Sequence, residues 1–441
     1  MNIRIGRDRT LLLGYFLGMI FLGSVLLVLP GAWNGQSDLR YIDALFTSTS
    51  AVCVTGLITV PTADFSLFGQ IVILCLIQMG GLGLITFATL YLALPRRKIS
   101  IVSQGLISDY TLSEVEYQPK RIIRSIAGLT LAIEVAGMLL LNIRFGAIGY
   151  PFFVSIFHAV SAFCNAGFSL FPDSLEGFVL DPVVNFTIMG LIVSGGLGFI
   201  VMKDIGKFLS REKMHLSYHS VVVLETTIAL IIAGMAAILV LEYNLALSGM
   251  TLGQKVMASL FASITPRTAG FDTILPNKLG MGSIVLTIIL MFIGASPAST
   301  GGGVKTTTFF ILMMTAFRYQ NGSNSVDYRG RAISGHTIFK AVGVVVKGLL
   351  IIVAAAIIIE FLERGRGNPL SSLESIFEVV SAFATVGLSL GATSSLGEAS
   401  KLILVLTMFI GRVGLFAMAL PKVGRRIEGY AQLPGADLLI G

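Results

Sequence analysis

The feature that most constrains the fold is a motif that returns four times, each copy ending an apolar helical run on one glycine. The copies read ALFTSTSAVCVTGL (44–57), SIFHAVSAFCNAGF (155–168), SLFASITPRTAGF (259–271) and SIFEVVSAFATVGL (375–388). Each closes on glycine followed by Leu or Phe: Gly56, Gly167, Gly270 and Gly387. Ten residues before these glycines stand Phe46, Phe157, Leu260 and Phe377, and six before stand Ser50, Ser161, Ile264 and Ser381. The third copy is one residue shorter over part of its length, which displaces its Phe261. The glycines lie 111, 103 and 117 residues apart. That period is too long for a solenoid unit and fits two membrane helices with a short element between them. A second landmark keeps step: GGLG from Gly80 and from Gly195, GASPASTGGG from Gly294 and GRVG from Gly411.

The solvent follows from composition. The 441 residues are 54% hydrophobic and 12% charged, against about 25% charged in soluble domains. A bilayer core takes about 20 apolar residues per helix. Eight stretches reach that length: 10–30, 67–95, 122–143, 183–202, 220–242, 281–315, 339–362 and 400–421. The net charge of +7 is topogenic rather than a nucleic-acid footprint. With the N-terminus inside, 20 of the 31 Lys and Arg fall in the N-terminal tail, the loops at 96–124, 203–219 and 316–340, and the C-terminal tail. That bias is the positive-inside rule and makes both termini cytoplasmic. The first apolar run has no small-residue cleavage site and reads as an anchor. Cys53, Cys75 and Cys164 have no metal-type spacing. His158, His215, His219 and His336 form no ligand set, and the 215/219 pair reads as solvated.

Each repeat contributes two spans, so all four share one orientation. Such units are related by rotation about the membrane normal, unlike inverted-repeat transporters, whose axis lies in the membrane plane. The expected fold is all-α: four parallel helix–pore-helix–helix repeats in pseudo-fourfold arrangement around a central pore. The repeats are 1–98, 99–209, 210–325 and 326–441.

Non-helical backbone at membrane depth survives only inside protein or against a water-filled cavity. Four such strands can turn carbonyl oxygens toward an axis and replace a cation's hydration shell. The candidate ion-binding residues are Val54-Thr55-Gly56, Asn165-Ala166-Gly167, Thr268-Ala269-Gly270 and Thr385-Val386-Gly387. None is acidic, which argues against a carboxylate-ring divalent site. The bland alternative is that the glycines only permit close helix packing.

The third repeat breaks its own pattern at Gly294-Ala295-Ser296-Pro297-Ala298-Ser299-Thr300-Gly301-Gly302-Gly303-Val304-Lys305. Pro and three consecutive Gly are poor helix formers, so the helix should open there. An unwound segment just beyond the filter can plug a pore; a static kink is the alternative. A phosphate-binding loop is excluded because Val304 separates Gly303 from Lys305. Arg412 holds the matching place in repeat four, where an intramembrane charge faces a bundle interior or cavity. Its guanidinium is placed to donate to freed carbonyls of the loop, or to sit in a packed ion pair. Lys305 is expected near the cytoplasmic mouth, snorkelling. Glu134, Glu225, Lys347 and Glu360 are expected to pair between helices or to mark an auxiliary cation site. Arg267 should point behind the filter to a carboxylate. Gly14 and Gly18 are either a helix-contact motif or intrachain packing. A hydrolase using Ser296 or Ser299 with His158 would need them to meet across the filter, and no nucleophile–base–orienter set emerges.

The four glycine strands, the eight spans and the ASTGGGVKTT insert together resemble the Trk/Ktr/HKT superfamily of K⁺ transporters over nearly the whole chain. The length, and the lack of an extra N-terminal helix pair, make the chain most similar to bacterial Ktr membrane subunits. The resemblance implies a non-enzymatic K⁺ uptake subunit of the bacterial cytoplasmic membrane, a homodimer with one pore per subunit, often stimulated by Na⁺. It also implies that the 294–305 insert gates the pore and that a cytosolic nucleotide-binding ring regulates it. No ring stands in this sequence, so the regulator, and any nucleotide, is expected on a separate polypeptide. Plant relatives selective for Na⁺ carry serine at the first filter glycine, where this chain has Gly56. A Na⁺-permeable or H⁺-coupled relative is the competing reading. Tetrameric K⁺ channels carry TVGYG, whereas here no second glycine continues the column, so fewer ordered ion sites are expected.

Overall fold

The computed structural model describes residues 7–35, 38–93, 119–318 and 325–414. The basic loop expected over 96–124 and the C-terminal tail lie mostly or wholly outside these residues.

The chain forms a first helix, a short helix and a second helix, four times over. The first helices are α1 (Arg7–Val28), α4 (Pro119–Ile148), α8 (Tyr218–Glu242) and α12 (Gly335–Arg366). The short helices are α2 (Tyr41–Cys53), α5 (Phe152–Phe163), α9 (Leu252–Ile264) and α13 (Ser372–Ala384). The second helices are α3 (Leu67–Ala93), α6 (Pro182–Leu197), α10 (Met281–Phe292) and α14 (Glu398–Phe409). Two of these continue past a break, as α7 (Phe199–Leu209) and α11 (Thr306–Arg318). A hairpin of β1 (Ser325–Tyr328) and β2 (Arg331–Ser334) separates α11 from α12.

Among the described residues four helices are long and apolar enough to cross a membrane: Thr10–Val28, Ile123–Ile148, Tyr218–Glu242 and Gly335–Arg366. Only 28–39% of each apolar window is buried, so most of that surface faces outward, as lipid contact requires. Not every expected span is continuous. The 183–202 stretch ends at Leu197 and turns by 105° into α7. Gly198 makes that turn at φ +88, and Phe199 N donates to Ala298 O at 3.1 Å, so a loop of the next repeat sets the bend. The 281–315 stretch is interrupted between Phe292 and Thr306.

The short helices run 12–13 residues, about 20 Å at 1.5 Å per residue and well short of a bilayer core of about 30 Å. Their starts are encoded locally. Capping boxes pair Thr251 with Gln254 and Ser371 with Glu374, reciprocally satisfying two of the otherwise orphaned amides. Among the second helices, α6 starts on Asp181, which accepts from Val183 N and Val184 N, with Pro182 at the first position.

Within repeats one, two and four the three helices pack together, and in repeat three α9 and α10 both pack on α8; each second helix also packs on the next repeat's short helix: α3 on α5, α6 on α9, α10 on α13, and α14 back on α2. The last contact joins chain ends and is held by a buried ion pair, Lys401 Nζ to Asp43 Oδ1 at 2.7 Å. Both residues are more than nine-tenths buried. Removing one partner leaves an uncompensated buried charge, which costs about 3–5 kcal/mol. Lys401→Ala should therefore lower the unfolding temperature of the detergent-solubilised protein clearly more than the double change Asp43→Leu, Lys401→Met. Equal losses in the two would show that the charge pairing is not what closes the contact.

Candidate functional site

Every short helix is followed by the same backbone pattern. Val54, Asn165, Thr268 and Thr385 take φ between +53 and +75, and the glycine two residues later is again positive, between +70 and +98. Side-chain-bearing residues rarely adopt left-handed φ, so four in register are a shared constraint rather than four accidents. The residue between them, at Thr55, Ala166, Ala269 or Val386, keeps ordinary φ and is fully buried. Alternating hand along a strand turns successive carbonyls toward the same side.

The glycines meet in a closed ring. A Cβ on Gly56 would collide with Ala166 O, on Gly167 with Ala269 O, on Gly270 with Val386 O, and on Gly387 with Thr55 O. Each strand thus lays its glycine against the carbonyl preceding the next glycine, and the fourth strand closes on the first.

The strands are pinned from behind by hydroxyls. Gly56 N donates to Ser50 Oγ at 3.0 Å and Gly387 N to Ser381 Oγ at 3.1 Å. Ser161 Oγ donates to Phe168 O at 2.8 Å and Thr265 Oγ1 to Phe271 O at 2.7 Å. The third copy uses Thr265, not Ile264 six residues before its glycine, because its shortening moves the hydroxyl by one place. Backbone amides turn back too, Thr55 N to Ser50 O and Ala166 N to Ser161 O, both at 2.7 Å. Among the described residues no protein donor reaches the carbonyls of the twelve strand residues 54–56, 165–167, 268–270 and 385–387. Buried carbonyls without donors are rare, and here they share one ring.

The second landmark is explained by the same contacts. A Cβ on Gly80, Gly195 or Gly411 would overlap Val52 O, Phe163 O or Phe383 O, each four residues before its ring glycine. These glycines let the second helix lie against the end of the short helix. Gly294 meets Gly302 O instead, so the third repeat has exchanged that packing for a loop.

That loop, 294–305, is buried and crosses one end of the ring. A Cβ on Gly301 would strike Thr268 Oγ1, and one on Gly302 would strike Thr385 Oγ1. Thr300 N donates to Gly195 O at 3.2 Å and Thr300 Oγ1 to Phe163 O at 3.3 Å. Ser296 N reaches Gly196 O at 3.0 Å, and Gly294 N reaches Val304 O at 2.8 Å across a bridge joining Ile293 to Val304. Ala298 sits at φ +56 and Gly303 at +67. Arg412, on a π-helical turn (Ile410–Gly414), donates to Thr300 O and, at 3.1 Å, to Gly80 O. It has no carboxylate partner among the described residues, so the packed ion pair is not formed.

Lys305 and Arg267 depart from expectation. Lys305 does not snorkel: its Nζ donates to Gly301 O at 2.6 Å, back into the loop. Arg267 finds no carboxylate among the described residues; it reaches Thr227 O and Oγ1, each at 3.4 Å. Glu134 accepts from Gln78 at 3.1 Å, Glu360 from Ser372 at 3.1 Å, and Glu225 from Tyr328 at 2.7 Å while pairing with Arg329. Lys347 is exposed and makes no such pair among the described residues. Among the described residues no atom approaches within 4 Å of a Cβ on Gly14 or Gly18, so packing against those residues does not account for them. His215 is exposed but His219 is only partly so. His158 bonds Val154 O and Ser169 Oγ, while Ser299 Oγ bonds Ser296 O, so neither Ser296 nor Ser299 pairs with His158.

Comparison with known proteins follows the same lines. The family model for TrkH, a cation transport protein, matches residues 16–425. The chain is 38% identical to Ktr system potassium uptake protein B of Bacillus subtilis, over 93% of this chain and 92% of that protein. It is 36% identical to the potassium/sodium uptake protein NtpJ of Enterococcus hirae, over 97% and 96%. The crystal structure of the potassium transporter TrkH from Vibrio parahaemolyticus superposes with a TM-score of 0.76 over 95% of this chain and 85% of that one. At 17% identity this last likeness is one of fold.

Proposed function

The chain belongs to the TrkH family of cation transport proteins, multi-pass membrane proteins and not enzymes, and from that premise we propose that it is the ion-translocating subunit of a K⁺ uptake system. The repeats 1–98, 99–209, 210–325 and 326–441 stand in pseudo-fourfold order and cross the membrane eight times, with both termini in the cytoplasm of a bacterial cell. K⁺ passes along their axis.

The observation that carries this reading is the closed glycine ring with twelve strand carbonyls that no donor among the described residues reaches. Carbonyl oxygens in that arrangement are ligands for a weakly hydrated monovalent cation. Strand residues without carboxylates fit K⁺ rather than a divalent ion. The 294–305 loop is the gate, held closed by Arg412. The protein works as a homodimer, is stimulated by Na⁺, and is controlled by a separate cytosolic nucleotide-binding ring. Passage of Na⁺ itself is the second reading, favoured by the name of the Enterococcus relative.

The test is growth of a bacterium lacking K⁺ uptake, expressing this chain across a K⁺ series with and without Na⁺. Rescue at low K⁺, improved by Na⁺, is expected; rescue that Na⁺ competitively inhibits would favour the second reading, and no rescue would remove the first. Co-purification with a nucleotide-binding partner is expected as well. Full nucleotide-regulated transport by this chain alone in liposomes would exclude the separate ring.

A further inference from the structure

The short helices carry a second pattern, outside the glycine motif. After Phe46, Phe157, Phe261 and Phe377 come Thr47, His158, Ala262 and Glu378. Two residues past the ring glycines come Ile58, Ser169, Asp272 and Ser389. In copies two and four these two places are joined. His158 Nε2 lies 2.9 Å from Ser169 Oγ, and Ser389 Oγ donates to Glu378 Oε1 at 2.6 Å. In copies one and three they are not. Thr47 Oγ1 is buried without a partner among the described residues, and Ala262 has no polar side-chain atom to offer Asp272.

Both joined helix residues are fully engaged and almost wholly buried. Glu378 also accepts from Leu390 N at 2.9 Å and from the Thr393 hydroxyl. His158 Nδ1 faces Val154 O at 2.8 Å. A carbonyl only accepts, so Nδ1 carries the proton and Nε2 accepts from the Ser169 hydroxyl, whose Oγ also lies 3.2 Å from Ser174 O. The ring stacks on Phe171 at 4.7 Å, and Phe171 N donates to Ser169 Oγ at 3.0 Å. Each brace therefore holds the segment immediately past its glycine.

The ring runs Gly56, Gly167, Gly270, Gly387 and back to Gly56, so copies two and four face each other across it. We propose that His158 and Glu378 are positioning residues for the filter: each fixes the far end of its strand through a serine, and cation discrimination depends on this one diagonal. The proposal rests on the pore reading above. A strand loosened two residues past its glycine lets the ring carbonyls approach or retreat, which alters how well they replace the hydration shell of one cation over another.

The experiment is ⁸⁶Rb⁺ uptake with Na⁺ competition in proteoliposomes of the full chain, normalised to folded protein. Ser169→Ala and Ser389→Ala should each raise the Rb⁺ KM and lower Rb⁺/Na⁺ discrimination by about 3–10-fold, the scale of one lost buried hydrogen bond, with maximal rate little changed. Ser389→Thr, which keeps the hydroxyl, should restore discrimination. Thr47→Ala, at the unjoined place, should leave it untouched. Glu378→Ala also strips the Leu390 and Thr393 bonds, so adding Ser389→Ala to it should cost little more than Glu378→Ala alone, because the serine bond is already gone. Wild-type KM and Na⁺ competition in both serine variants would overturn the brace while leaving the pore standing, as would a change confined to folded yield. A wild-type chain that takes up no Rb⁺ would overturn the pore reading and this proposal with it.

Discussion

Gly56→Ser, Gly167→Ser, Gly270→Ser and Gly387→Ser should each weaken Rb⁺ uptake affinity on the order of tenfold or more, with loss of K⁺/Na⁺ discrimination. Two costs combine at each position. A side-chain-bearing residue at φ +70 to +98 carries about 1–2 kcal/mol of backbone strain. The added Cβ would also overlap a backbone carbonyl of the next strand, and backbone cannot swing aside as a flexible side chain can. The displaced oxygen is the proposed ion ligand, so the strain is felt in ion binding. The ring makes the effect common to all four, since each glycine presses on its neighbour's carbonyl. Gly149→Ala supplies the control. It has φ +95 and open space at its Cβ, so it should cost stability alone and leave the Rb⁺ KM unchanged. Ordinary uptake kinetics in all four serine variants, at normal expression, would refute a shared filter.

Much of this ring was legible because repetition is itself a signal. One glycine after an apolar run says little, but four in step with Gly80, Gly195, Gly294 and Gly411 impose a common geometry. The opening of the helix at 294–305 and the placing of Arg412 against it followed from local chemistry, since Pro297 and three glycines cannot continue a helix and a buried guanidinium needs acceptors. The misses arose where contacts are non-local. Nothing in LIVSGGLGFI announces a 105° turn; the turn exists because Pro297 O and Ala298 O of another repeat press on Gly198 and Phe199. Arg267 was assigned a carboxylate by charge type and Lys305 a place at the cytoplasmic mouth, yet both use carbonyls or hydroxyls supplied by the fold. Thr265 was hidden by a one-residue slip. The braces at His158 and Glu378 did leave a trace, a serine eleven residues downstream in copies two and four only. That trace is meaningful only once the ring shows these copies to be diagonal.

Trimming Ser299–Gly302 from the loop, and separately Arg412→Ala, should each raise K⁺ flux rather than lower it. The loop crosses the ring's end with Gly301 and Gly302 against the hydroxyls of Thr268 and Thr385, which leaves no room for a hydrated ion beneath the strands. Its hold is polar and specific. Arg412 donates to Thr300 O and to Gly80 O, so it ties the loop to α3, and Lys305 ties the loop to itself. Hydrogen bonds from a charged group are worth about 1.5–3 kcal/mol each. Losing them from the closed state alone should shift the closed–open balance, and with it the flux, by on the order of tenfold. The same change removes a positive charge below the filter, lowering the barrier to a passing cation. A static kink makes the opposite forecast. If the loop only joins α10 to α11, trimming it should misalign both helices, strip the acceptors from Arg412, and reduce flux and folded yield together. Flux of K⁺ in proteoliposomes, normalised to folded protein and measured with and without the proposed regulator, separates the two. Reduced flux in both variants despite intact assembly would leave the kink; raised flux with weakened regulator dependence establishes a plug that Arg412 holds in place.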